Sequence, residues 1–599
     1  MRRLLMALMV CGSCLLVVHI VETREGIASR VGEQGRRLGG TSSCPSLPAP
    51  ARLEKCTGSG ASKVCAFEQV HIAIGEYDKR EKTWSMVISW ATARSNALSK
   101  FPSVRVAAAA TPACETRHAA TTTSYHFEVC DDDRSKFTTK SNEDYDSPDL
   151  HHAVVRGLRP QEVYTYRVGS EPTAAGSGTV VFREDRFSFR VPPIPGDEWE
   201  HSEAMTLLTV GDIGQTENSE RTLEALRHRF EDQKAGTVAG LIIGDMSYAD
   251  GGADRWDSWG RLVEPLFSSL PLHVLPGNHE VEVSKSSLET FQAYRHRFQM
   301  PSSLPEKISH ANAPHKHHSP WWNYDLSYEG GSSYYSFDAG LMHIICLNAY
   351  DVLGAKRHQD GEGAMSAQEK FLSEDLLAVD RRRTPFVVVF MHNPIYNSNS
   401  GHQNEKVTLL IQESAEPYFD KHNVDIVLAG HVHAYERHGH IGLGGRQSAK
   451  SPMYVTIGDG GNHELLYDKW LKKPSTSIVR DSRFYGHGEL TAFNRTHLRW
   501  TWIPNPVQGK EATKDEVWVR QDDDEKGGGG TSATIWIVLG IVVVGAFVAI
   551  AAASYDNIRP IMRRATGSSS QAFASLVEED NDEEEEEEEA SAPTSNGVF

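Results

Sequence analysis

From Met205 onward the chain repeats one pattern: an apolar run of strand length closes on a glycine-containing or polar turn that presents a metal-binding type of side chain. Val210 runs into Gly211-Asp212-Ile213-Gly214, and Ile243 into Gly244-Asp245-Met246-Ser247-Tyr248. Leu275 leads to Gly277-Asn278-His279-Glu280, Phe390 to Met391-His392-Asn393, and Leu428 to Gly430-His431-Val432-His433. The strand-like runs are Leu207–Val210, Leu241–Ile243, Leu272–Leu275, His343–Leu347, Val387–Phe390 and Ile426–Leu428. Amphipathic stretches lie between them, such as Arg221–Phe230 and Gln368–Arg381, the second opening on the capping-box pattern Ser366-Ala367-Gln368-Glu369. Strands alternating with such stretches predict an α/β domain whose helices cover β-sheet. Ligands of α/β sheets bind beyond the carboxyl ends of the strands, so the five turns can converge on one site. Glycine lets each turn bend without steric cost and approach a bound ion closely. A lone Gly-Asp turn or a lone His-x-His is ordinary; five such turns in order, each ending an apolar strand, are not. Their donors are oxygen and imidazole without thiolate, which suits iron, manganese and zinc.

The preceding part has another character. From about Val70 to Val191 short runs (Met86–Trp90, Val104–Ala108, His126–Val129, Ala153–Val155, Val163–Val168, Phe187–Val191) are separated by turn residues, the signature of a β-sandwich. Leu158-Arg159-Pro160 leading into Tyr164-Thr165-Tyr166-Arg167 resembles the E–F corner of fibronectin type III modules. No catalytic constellation occurs in this part, which reads as a packing or spacer domain.

The ordered series GDxG, GDxxY, GNHE, a strand-ending His and GHxH resembles the purple acid phosphatase branch of the metallophosphoesterases. The match spans roughly Gln69 to Gln521. It includes Trp256-Asp257-Ser258-Trp259-Gly260, Ala434-Tyr435-Glu436-Arg437, Ile457-Gly458-Asp459-Gly460-Gly461-Asn462 and Phe484-Tyr485-Gly486-His487-Gly488. The resemblance implies a metallophosphoesterase catalytic domain over 203–521, behind a fibronectin-III-like sandwich over 67–195. It further implies hydrolysis of phosphate monoesters by a metal-activated hydroxide at a binuclear centre. Asp212, Asp245, Tyr248 and His433 would hold Fe(III), the Tyr248 phenolate favouring the ferric ion. Asn278, His392 and His431 would hold a divalent ion (Zn, Mn or Fe(II)), and Asp245 would bridge the two. Asn278, His279 and His402 would face the substrate, with His279 and His402 as the catalytic candidates beyond the metals. Plant members of the family have two adjacent histidines in the loop where this chain has Gly401-His402, and that departure leaves the general acid open.

The ends of the 599-residue chain suggest a membrane setting. Leu4–Val18 behind Arg2 and Arg3 reads as a secretory signal over 1–24, followed by a lead segment over 25–66. Ile535–Ala553 is long enough to span a bilayer, and Arg559, Arg563 and Arg564 follow it. The expectation is therefore a single-pass type I membrane protein, its ectodomain extracellular or lumenal, with a linker over 522–533, a transmembrane helix over 534–554 and an acidic cytosolic tail over 555–599. The net charge of −19 is about half in the run Glu578–Glu589, and no basic footprint suits nucleic acid. Of eight cysteines, Cys44, Cys56, Cys65, Cys114 and Cys130 cluster where an oxidising compartment permits disulfides, and Cys346 reads as a core residue. Asn494-Arg495-Thr496 is a glycosylation sequon at Asn494. His310, His315, His317 and His318 read as an exposed loop. A homodimer is left open. The competing functions are a phosphodiesterase or nucleotide pyrophosphatase using the same ligands, and a non-catalytic cell-surface recognition protein. Intact residues at all seven ligand positions argue against the last.

Overall fold

The computed structural model describes residues 52–54 and 66–521, apart from 95–99, 130–143, 173–178, 198–203, 234–235, 303, 309–327, 352–364, 508 and 510. The N-terminal part forms two main sheets. Glu68–Asp78, Thr83–Thr92, Asp149–Leu158 and Thr121–Thr123 make one, antiparallel throughout. Arg52–Glu54, Val181–Arg183, Val163–Ser170, Pro102–Ala108 and Thr116–Ala119 make the other, with Phe187–Arg190 also paired to Val163–Ser170. Alternate residues of the first sheet supply the core: Val70, Ile72, Ile74, Trp84, Met86, Ile88 and Trp90 are all buried. The Tyr164 hydroxyl accepts from the Arg159 amide at 3.1 Å and so closes the corner that the sequence marked. The run His126–Val129 yields only the two-residue strand His126–Phe127, paired with Tyr145–Asp146. Polar strands such as Thr116–Ala119 and Thr121–Thr123 were not legible, because they lack a buried apolar face.

Two larger sheets carry the remainder. In the first, the parallel strands Leu272–Leu275, Thr237–Ile243 and Met205–Val210 continue into antiparallel Gly486–Asn494, His497–Pro504 and Asp515–Arg520. In the second, Met342–Leu347, Phe386–Met391, Ile426–Ala429 and Met453–Ile457 run parallel. Tyr335–Ala339 flanks one side, and Tyr435–Gly442 with its partners flanks the other. Every residue of Met205–Val210, Thr237–Ile243, Phe386–Met391 and Ile426–Ala429 is buried, as continuous apolar runs demand. The Gly211 amide donates to the Ile457 carbonyl at 3.1 Å and joins the two sheets where their strands end.

The two expected helices form over Glu217–Asp232 and Ala367–Ala378, the second capped by the Ser366 hydroxyl on the Glu369 amide. Arg255–Phe267 and Lys406–Lys421 are helices that local reading passes over, since each contains a proline (Pro265, Pro417). Packing prevails: Trp256, Trp259, Val263, Leu266 and Phe267 are all buried.

The sandwich is fastened to the catalytic part through buried charge. Arg183 bonds Glu264 at 2.6 Å and the Phe67 carbonyl at 3.1 Å. Arg297 reaches Gln69 and Tyr125 as well as Asp257. Cys346 is buried with its thiol free, Cys114 is disulfide-bonded, and Asn494 is exposed at the end of its strand.

One expectation is corrected. Among the described residues no helix is long and apolar enough to cross a membrane. The transmembrane helix placed at 534–554, the single-pass type I topology and the cytosolic tail built on it are therefore not retained. Those segments, the signal at 1–24 and the histidine-rich loop at 310–318 lie outside the described residues.

Candidate metal centre

All seven side chains anticipated as ligands meet in one buried cluster. Asp212 and Asp245 are 0% and 1% exposed, and both lie within reach of the Tyr248 hydroxyl, at 3.4 and 3.5 Å. The His433 Nε2 is 3.0 Å from that hydroxyl and 3.5 Å from Asp212. On the other side, Asn278 Oδ1 is 3.2 Å from His392 Nε2 and 2.9 Å from His431 Nδ1. Asp245 Oδ2 stands between the two groups, 3.1 Å from His392 Nε2.

The backbone brings them there under strain. Asp212, Asp245, Tyr248, Asp250, His402 and His431 all have positive φ, between 48° and 66°. Left-handed backbone costs a non-glycine residue about 1–2 kcal/mol, and its concentration around one cluster points to a site that the fold is built to hold. Two glycines are required by space. A Cβ on Gly277 would lie 2.1 Å from Asp245 Oδ1, and one on Gly430 would lie 2.4 Å from Asp212 Oδ2. Glu280 ties the turns together, its carboxylate accepting the amides of Asp245 (2.7 Å), Met246 (2.9 Å) and Gly277 (2.8 Å). Burial, with the Asp245 charge, pushes the Glu280 carboxyl up to about 8.

The histidines are oriented through their outer nitrogens. His392 Nδ1 donates to the Ile243 carbonyl at 2.8 Å, and His433 Nδ1 to the Leu465 carbonyl at 3.1 Å. Each therefore turns an Nε2 lone pair inward. His431 bonds Glu405 through Nε2 at 2.8 Å and turns Nδ1 inward. Ligand histidines held in this way by a second acceptor are the usual arrangement at metal sites. The electrostatics favour a cation at His392 Nε2: burial works against a charged His392, yet Asp245 and Asp212 push it up to about 9. Burial likewise opposes ionisation of Asp245, but the neighbouring His392 and His279 hold it well below the usual carboxylate range. Lone pairs and carboxylates facing one another in a dry pocket call for positive charge, which hard and borderline cations supply to such oxygen and imidazole donors. The residues fit a pair of metal ions.

His279 and His402 flank the cluster from opposite sides. His279 packs against Tyr248, the rings tilted with centres 4.0 Å apart, and bonds Asp250 through Nδ1 at 2.5 Å. Burial lowers its affinity for a proton, but the charges of Asp250 and Asp245 raise it well above the ordinary value. His402 lies over His431 at 3.9 Å and bonds Glu405 through Nδ1 at 2.7 Å.

Sequence reading missed Asp250, Tyr350, Glu405, Glu464 and Tyr467. The Glu405 carboxylate lies between His402 and His431, the three forming a second group with ligand atoms within 4.8 Å of one another. Tyr350 reaches Asn278 at 3.4 Å, and Glu464 comes within 4.0 Å of both His279 and His433. Asp250, two places beyond Tyr248, offered a signal. Tyr350 follows the strand Met342–Leu347, and Glu405 precedes the helix Lys406–Lys421. Glu464 and Tyr467 lie several residues beyond the strand Met453–Ile457, and none of the four stands in a glycine-containing turn that closes its strand.

Comparison with known proteins agrees on the family. Residues 205–435 match calcineurin-like phosphoesterases, 451–515 an iron/zinc purple acid phosphatase-like C-terminal family, and 67–190 the N-terminal domain of purple acid phosphatases. Purple acid phosphatase 18 of Arabidopsis thaliana is 35% identical over 63% of this chain and 72% of its own length. The chain belongs to the purple acid phosphatase family. A second Arabidopsis thaliana relative, Fe(3+)-Zn(2+) purple acid phosphatase 12, is 32% identical over 63% of this chain and 72% of its own. The structure of a purple acid phosphatase from yellow lupin seeds shares the fold, with a TM-score of 0.58 at 19% identity over 79% of this chain and 80% of that one. This purple acid phosphatase is accordingly a metal-dependent hydrolase of phosphate monoesters.

Proposed function

We propose that phosphomonoester hydrolysis by this chain uses Asp212, Tyr248 and His433 to hold a ferric ion, and Asn278, His392 and His431 to hold a divalent one, with Asp245 between them. The observation that carries this reading is the division of the donors into two triplets with the Asp245 carboxylate between. The phenol in one triplet and the iron–zinc relative both support a ferric ion paired with a divalent one, zinc included. When bound, such a pair supplies Lewis acidity to the phosphoryl oxygens and lowers the pKa of water toward that of a nucleophile.

The chain's own groups do the rest. Asp212 and Asp245, buried away from bulk water, fix the negative charge that the cations would balance. His279, kept protonated by Asp250, presents Nε2 3.9 Å from Asp245 Oδ2 and so stands beside the position of the phosphoryl group. From there it stabilises charge on the equatorial oxygens and delivers a proton to the departing alkoxide. His402, bonded to Glu405, faces the opposite side of the same opening and is the second proton donor.

The test is metal analysis with spectroscopy and turnover on the purified protein. Wild type is expected to bind two metals, to show a visible phenolate-to-iron band, and to hydrolyse an aryl phosphate faster than its bis-aryl diester at pH 5 and pH 7. Tyr248→Phe should remove the band, and Asp245→Ala should abolish turnover in a folded protein. A band that survives Tyr248→Phe would sink Tyr248 as the ferric ligand, absence of the band in wild type would sink the ferric ion, and turnover that survives Asp245→Ala would sink the bridging role of Asp245.

A further inference from the structure

We propose that Tyr467 is a substrate-contacting residue of this phosphatase, its hydroxyl donating a hydrogen bond to the phosphoryl group from the part of the site wall that Gly401 cannot fill. The inference rests on the phosphomonoester reading above and adds to it a residue from outside the metal-binding turns.

Tyr467 stands in the loop that follows the strand Met453–Ile457. Its backbone is held on both sides of the site: the Tyr467 amide donates to the His433 carbonyl at 2.8 Å, and its carbonyl accepts from Asn399 Nδ2 at 2.7 Å. The ring stacks on His433 with centres 4.4 Å apart and planes 28° from parallel. The hydroxyl reaches 3.3 Å from His402 Nε2 and 3.4 Å from Glu464 Oε2. One side chain thus spans both halves of the cluster, touching a histidine of the Tyr248 triplet and the histidine that lies over His431. It is half-buried, so a substrate can reach it.

Position 401 explains why a tyrosine stands here. A Cβ on Gly401 would lie 2.8 Å from Tyr467 Cδ2 and 3.2 Å from Cε2. The ring and a side chain at 401 therefore exclude each other, and Tyr467 closes the wall that Gly401 leaves open. The hydroxyl's two resting contacts are at the long end of hydrogen bonding. A phosphoryl oxygen arriving between His402 and His279 offers a charged acceptor, to which hydrogen bonds are about twice as strong as to a neutral one.

The experiment compares wild type, Tyr467→Phe, Gly401→Ala and Gly401→Ala/Tyr467→Phe, all metal-loaded. Binding of inorganic phosphate is measured by calorimetry, alongside KM and kcat for an aryl phosphate, metal content and unfolding midpoint. Tyr467→Phe keeps the ring on His433 and removes only the hydroxyl. It should weaken phosphate binding about tenfold and raise KM in step, the split expected for a contact made to the ground state and the transition state alike. Gly401→Ala displaces the ring and should give the same loss, and the double variant should lose no more than either single one. Phosphate affinity within twofold of wild type in Tyr467→Phe overturns the proposal. If that variant does not fold, unchanged affinity in Gly401→Ala overturns it. Calorimetry reads binding without turnover. A wild type that binds phosphate in a Tyr467-dependent way but does not hydrolyse the ester would count against the proposed function and not against this contact.

Discussion

Arg297→Met tests whether the N-terminal sandwich and the catalytic part are joined by a few buried polar groups. Arg297 is 4% exposed. It donates to Gln69 Oε1 at 2.8 Å, to Asp257 Oδ1 at 2.9 Å, to the Tyr145 hydroxyl at 2.9 Å and to the Tyr125 hydroxyl at 3.2 and 3.3 Å. Methionine matches the stem and removes every donor. Taking away one partner of a buried ion pair costs about 3–5 kcal/mol, because the other charge is left behind. Asp257 keeps Gln69 Nε2 at 3.1 Å and the Tyr145 hydroxyl at 2.7 Å, and its side chain is 20% exposed, which places its share at the low end. The buried Tyr125 hydroxyl and Gln69 Oε1 lose the arginine as well, adding about 1 kcal/mol or more. A destabilisation of about 4 kcal/mol is expected, read as a lower urea midpoint with unchanged slope by tryptophan fluorescence. Asp257→Asn added to Arg297→Met removes the stranded charge and should restore about 1–2 kcal/mol. A loss below about 1 kcal/mol for Arg297→Met would refute the reasoning.

Two further outcomes are expected. His343 sits between Asp338 (2.7 Å) and Asp375 (2.9 Å); burial opposes its charge, but the two carboxylates push it up to about 9. A folded pKa above the unfolded value of about 6.5 adds stability that is complete below pH 6.5 and lost as pH rises through 9. The stability gap between wild type and His343→Gln should therefore shrink by about 3 kcal/mol between pH 6 and pH 9.5, and a gap that stays flat contradicts the assignment. Gly277→Ala places a Cβ 2.1 Å from Asp245 Oδ1 and 2.6 Å from its amide, so Asp245 must move. Turnover should fall about 100-fold or more, with fewer than two metals bound per chain, and near-native turnover would show that the turn yields freely.

The sandwich and the catalytic strands were legible because burial writes itself into sequence as apolar periodicity and continuous apolar runs. The proline-bearing helices Arg255–Phe267 and Lys406–Lys421 were not, because long-range packing there outweighs local propensity. The expected membrane helix rested on the length of the apolar run Ile535–Ala553 and the arginines that follow it, local features that do not establish what a segment forms.

By itself the sequence determined which side chains could bind metal, since glycine-containing turns at strand ends are local features and their order along the chain is visible. Only the tertiary structure decided where they meet: Asn278, His392 and His431 lie together on one side, Asp212, Tyr248 and His433 on the other, and Asp245 between. It also recruited Asp250, Glu405 and Tyr467, and it set Tyr467 against Gly401, 66 positions away in the chain. Contacts of that kind arise from the meeting of loops at the ends of two sheets, and no local pattern of residues encodes which loops will meet.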